Sequence, residues 1–230
     1  MTRILVPVEV LEGKTVSPGL MNLLGTVDVT VLGYHVLPEQ TPPDQARLQY
    51  EERATDALAD LRREFETAGG AADHRLVFTH DREQTINRIA NEIDARAFAI
   101  SGMTGDVDQL LVSLSGDVAT ERILTFVEEL VGGREIGVTL FFAGEKPDER
   151  RLEDDADRIR EAGIDVRTEL VESNSPFKAL MEAVPGHDAI VMGEKAPSIR
   201  SLVFGVESDR VASASVGPVL VVRYDETLDG

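Results

Sequence analysis

Residues 191–223 read VMGEKAPSIRSLVFGVESDRVASASVGPVLVVR, and their order decides the fold. A β-branched run ends at Gly193. A turn follows, then a helical stretch, a loop of small residues, and a second apolar run from Val219 to Val222. Strand, turn, helix, loop and strand in that order make a β-α-β unit, which implies parallel strands joined by a right-handed crossover. The first turn holds small residues ahead of a helix start, the layout in which backbone N–H groups can approach a phosphate.

Working backwards, the same alternation fills the chain. RILVPVE is a first strand. Ser17 and Pro18 supply an N-cap and a first helical residue. VDVTVLGYHV is the second strand, and a long helix follows TPPDQ. Ala54, Leu58, Leu61 and Phe65 form its inward stripe, and Gly69-Gly70 end it. DHRLVFTH is the third strand. Ile86, Ile89, Ala90 and Ile93 mark a helix at i, i+3, i+4 and i+7. AFAISG is the fourth strand.

The order then restarts. DQLLVSLSG matches the first strand and its turn, GVTLFF the second strand, and DVRTELVE the third. Leu152, Ala156 and Ile159 line one helix, and Phe177, Leu180, Met181 and Val184 the next. HDAIVMG is the fourth strand; a further helix and the strand GPVLVVR have no counterpart in the first unit. The chain therefore reads as two α/β units of the doubly wound class, residues 1–105 with four strands and 106–230 with five. Residues 102–108 are too few for a crossover helix.

Composition narrows the function. The chain has 42 acidic and 23 basic residues, a formal net charge of -19, and only four lysines. A surface that neutralises nucleic-acid phosphates needs clustered Lys and Arg, so nucleic acid is excluded as a partner. An acidic partner-binding surface is one reading of this charge; the spread of the acids along the chain favours the other, a protein kept hydrated at high internal salt. At molar salt the Debye length is about 3 Å, so this charge barely repels an anionic ligand. There is no cysteine, hence no disulfide and no thiolate metal site. The opening MTRILVPVEV enters a strand at once and leaves no room for a signal peptide. The apolar runs are far shorter than the roughly 20 residues a membrane span needs. A cytoplasmic protein without direct membrane insertion is expected.

At Gly193, Gly205, Ser208-Asp209-Arg210-Val211 and the strand Pro218–Val222, the sequence resembles the universal stress protein family. The opening ILVPVE is similar to that family's first strand, and the order of elements agrees over nearly all of both units. The resemblance implies two tandem Rossmann-like units, similar to the adenine nucleotide alpha hydrolases, with the first lacking its last helix and strand. It also implies ATP binding in one subset of members and a homodimer through the last strand, here Val219, Leu220, Val221 and Val222. A second resemblance, around VSPGLMNLL and VLGYHVLPEQTPPDQ, is to stress-protein domains that accompany amino-acid transporters in halophilic archaea. It implies a membrane transporter as partner.

Carried over position by position, the nucleotide site would use Gly193, Ala196, Gly205, Val206, Ser208 and Ser115. Gly193 and Gly205 fit. Ala196 stands where a glycine is expected, and Pro197 behind it disfavours a left-handed residue there. The eight residues Pro197 to Phe204 are one fewer than the family's spacing. Val206 has no hydroxyl to donate, and Ser115 replaces the acid that holds a ribose. Each lost hydrogen bond to a charged ligand is worth about 1.5–3 kcal/mol. The first unit keeps Gly102, Thr104 and Gly105, with Glu9 at the acid position, but half of the cradle is missing. No bound cofactor is expected, with ATP or another adenine nucleotide as the alternative.

The other polar residues have plainer readings. His74, His80 and Asp81 bracket a strand and could hold a metal, but exposed loop histidines explain them better. Ser113, Ser115 and Ser208 lack a nucleophile elbow and read as turn or cap residues. The tail YDETLDG reads as frayed. The leading expectation is a non-enzymatic stress-response or regulatory protein acting through partners. An ATP sensor is second and a weak nucleotide hydrolase third.

Overall fold

The computed structural model describes residues 2–13, 15–69, 71–100, 102, 104–116, 118–195 and 217–224. The chain divides into two compact units, Met1–Ser101 and Gly102–Gly230.

The first unit is built on β1 (Arg3–Glu9), β2 (Asp28–Val36), β3 (Ala71–Thr79) and β4 (Ala97–Ile100). β1 pairs in parallel with β2 and β4, and β2 with β3, giving the order β3-β2-β1-β4. Ile4, Leu5, Val6 and Val8 are all buried, because a central parallel strand is covered on both faces. Helix α1 (Pro18–Leu23) starts as its cap dictates: the Ser17 hydroxyl accepts from the Leu20 N–H. Helix α2 (Pro43–Thr67) buries Ala54, Leu58, Leu61 and Phe65, and its first turn begins inside the TPPDQ segment. Gly33 on β2 lets it come close: a Cβ there would lie 2.6 Å from Leu58 Cδ1. Helix α3 (Arg82–Glu92) is capped by Asp81, whose carboxylate accepts from the Gln84 N–H at 2.9 Å. Asp81 is thus committed to a helix end.

The second unit contains β5 (Gln109–Ser113), α4 (Thr120–Val131), β6 (Gly137–Gly144), α5 (Glu149–Glu161), β7 (Val166–Glu172), α6 (Pro176–Ala183), β8 (Ala189–Gly193) and β9 (Val219–Val222). All its ladders are parallel, in the order β9-β8-β5-β6-β7. Helix α4 buries Ile123, Leu124, Phe126, Val127, Leu130 and Val131 and stops at Gly132, which is left-handed with φ 47°. An arginine ties α5 to α4. Arg158 Nε donates to Glu128 Oε1 at 2.8 Å and Nη2 to Thr125 Oγ1 at 2.8 Å, while Nη1 pairs with Glu121. Helix α6 buries Ala179 and Leu180, but Phe177, Met181 and Val184 are only half-covered. Of the expected stripe, Leu180 is fully buried, and Ala179 joins it.

Asp188 pins the start of β8 to the start of β5. Its carboxylate accepts from the Asp108 and Gln109 N–H groups, both at 2.9 Å, and its own N–H donates to Gln109 O at 2.9 Å. Gly217 lies against the same residue, so that a Cβ at 217 would be 1.9 Å from Asp188 O. Pro218 then accepts from Ile190 N–H at 2.9 Å and feeds β9. Val219, Leu220, Val221 and Val222 are each 5% exposed or less. Among the described residues, no helix is long and apolar enough to cross a membrane.

Candidate functional site

In a doubly wound sheet, ligands collect at the carboxyl ends of neighbouring strands whose connections diverge. In the second unit those strands are β5 and β8: they pair with each other, β5 has β6 on its far side, and β8 has β9 on its own. A crevice lies there, bounded by Val118, Ala119, Gly193, Glu194, Lys195 and Tyr224 among others. Its enclosed volume, about 10 Å³, is that of about one water molecule.

Ser115 and Gly193 are the two sequence-predicted site residues within the described part of the chain. Ser115 is 2% exposed, and its hydroxyl accepts from the Ala143 N–H at 2.8 Å. It closes the gap where β5 and β6 part. Gly193 faces the start of α4: a Cβ there would lie 2.9 Å from Val118 Cγ1 and 3.3 Å from Ile123 Cδ1. A glycine is needed at 193 for helix-to-strand packing, whatever a ligand requires. Ala196, Gly205, Val206 and Ser208 lie outside the described residues.

The two charges at the mouth of the turn have internal partners. Glu194 N–H donates to Val222 O at 2.8 Å, and its carboxylate accepts from the Tyr224 N–H at 2.9 Å. Lys195 Nζ stands 3.3 Å from the centre of the Tyr224 ring, a cation–π contact. Tyr224, grouped with a frayed tail on sequence grounds, is therefore the anchor of this turn. Nothing local in the sequence signals this, because its partners lie about thirty positions away.

Among the described residues, no group of three His, Cys, Asp or Glu side chains could hold a metal. His80 Nε2 lies 3.1 Å from Thr41 O, to which it donates.

Neither a family model nor a curated protein matches the sequence. Solved structures do. A universal stress protein from Archaeoglobus fulgidus DSM 4304 superposes with a TM-score of 0.66 at 19% identity, covering 97% of this chain and 97% of that one. The chain has a universal stress protein fold. The cytoplasmic domain of a prokaryotic cation chloride cotransporter superposes with a TM-score of 0.50 at 11% identity, covering 96% of this chain and 94% of that one. The parallel α/β architecture of both units agrees with that fold.

Proposed function

We propose that this chain is a tandem universal stress protein that works by binding other proteins, in the cytoplasm, without catalysing a reaction. The observation that carries the reading is the commitment of the turn after β8. Gly193 is packed against Val118 and Ile123, the Ser115 hydroxyl accepts from the Ala143 N–H, and Glu194 and Lys195 both engage Tyr224. The residues beyond it, with Ala196-Pro197 and Val206 in place of glycine and hydroxyl, support the same loss of a phosphate cradle.

A membrane transporter is the proposed partner. The overlay on a cotransporter's cytoplasmic domain supports it, as does the sequence resemblance around residues 16–45. Capture on the tagged full chain from detergent-solubilised membranes of the source organism should enrich a transporter subunit. Recovery of soluble proteins only contradicts the proposal. Pairing of two copies through Val219–Val222 belongs to the same reading.

The second reading is an adenine-nucleotide sensor, favoured by Gly193 and Gly205 at the expected glycine positions. A weak hydrolase ranks third, since Glu194, the carboxylate at the described end of the crevice, is bonded by the Tyr224 N–H and no metal-holding group stands beside it among the described residues.

A further inference from the structure

An open cavity among the described residues of the second unit lies at the opposite end of the sheet. It measures about 390 Å³ and lies between α6 and the amino-terminal halves of β6 and β7, walled by Thr139, Arg167, Glu169, Glu182, Pro185 and His187. That volume falls within the usual range of small-molecule sites.

The floor is a fixed chain of hydrogen bonds. His187 Nδ1 donates to Ala183 O at 3.0 Å, which leaves Nε2 as the acceptor. The Thr139 hydroxyl, 2.8 Å away, donates to Nε2. Thr139 Oγ1 in turn accepts from Arg167 Nε at 2.8 Å, and Arg167 Nη2 donates to Gln109 Oε1 at 3.3 Å. The guanidinium is therefore held by neutral oxygens alone. Other arginines of the chain differ: Arg62 pairs with Glu66, Arg88 with Glu92, and Arg160 with Asp157. In a chain with 42 acidic residues, Arg167 has no carboxylate within 4 Å among the described residues. Its remaining N–H donors are unspent.

Glu169 follows two positions along β7, on the same face of the sheet. It has no hydrogen-bond or ion-pair partner among the described residues. Glu182, across the cavity on α6, has only a 3.7 Å exposed pair with Lys178. The walls thus offer one oriented cation and two carboxylates, none compensating the others. A simple anion entering here meets Glu169 and Glu182, and a simple cation meets Arg167. A molecule carrying both charges satisfies all three.

We propose that this cavity binds a small zwitterion of the amino-acid class, with its carboxylate on Arg167 and its ammonium group between Glu169 and Glu182. Titration calorimetry on the full chain tests this with four probes: L-glutamine and 4-aminobutyrate as zwitterions of two lengths, acetate as an anion, and ethylammonium as a cation. At least one zwitterion should bind about tenfold or more tightly than either simple ion, the value of one charge-assisted hydrogen bond. R167Q and E169Q should each remove about tenfold of that affinity while the melting curve stays in place. Glu169 has no partner within the chain, so E169Q remains a valid test if R167Q folds poorly. Absence of saturable binding by both zwitterions, acetate binding as tightly as they do, or an unchanged affinity in E169Q overturns the proposal.

Discussion

Val221→Lys is expected to destabilise the second unit strongly. Val221 is 0% exposed and sits between equally buried neighbours on β9. A lysine there must either bury an unpaired ammonium or push β9 off β8. Either outcome costs about 4 kcal/mol or more, a large share of the 5–15 kcal/mol that holds a typical domain. For a chain of this size the melting midpoint should fall by roughly 8–16 °C. Thermal unfolding followed by circular dichroism measures it. A variant melting with the wild type would show that this face of β9 is open to solvent. The substitution would otherwise serve as a probe of pairing between copies, but its first effect is on the single chain.

Gly217→Ala is expected to be nearly as damaging, although it adds one methyl group. The new Cβ would stand 1.9 Å from Asp188 O, well inside any allowed contact. Asp188 has little freedom to withdraw, because its carboxylate accepts from two N–H groups of the β5 start and its N–H is bonded there as well. Nor can residue 217 turn freely, since Pro218 restricts its backbone. A strained or displaced β9 should cost about 3 kcal/mol, or roughly 6–12 °C in the melting midpoint. Gly105→Ala is the control: nothing lies within 4 Å of its Cβ position, and no loss is expected. Equal midpoints for the two alanine variants would contradict the close contact between Gly217 and Asp188.

Much of this architecture is legible in the sequence because its signals are local. β1 runs from Arg3 to Glu9, where the unbroken apolar run places it, and α1 starts where Ser17-Pro18 says it must. The stripe of α2 is the buried one, since four residues at helical spacing leave little choice of face. The short helix α6 is where periodicity fails. With eight residues packed chiefly on β6, it buries Ala179 and Leu180 and leaves Phe177 and Met181 half-covered. The site is harder to read, because its meaning depends on distant partners. Gly193 suits a phosphate loop and a tight packing contact equally well, and the contact itself is with Val118, 75 positions earlier. Ser115 reads as a substituted ribose ligand, and its bond from the Ala143 N–H, 28 positions away, gives no local sign. Asp188 draws no notice in the sequence, yet it holds three hydrogen bonds between β5 and β8.

The central claim is that the stress-protein fold has been kept while its phosphate cradle has been lost. The most direct test is calorimetric titration of magnesium-ATP into the full chain at molar potassium chloride, where the charge of -19 is screened and repulsion is no excuse for weak binding. The account predicts no saturable heat in the micromolar range. A one-to-one isotherm with a micromolar dissociation constant would contradict it and make the second unit a nucleotide sensor.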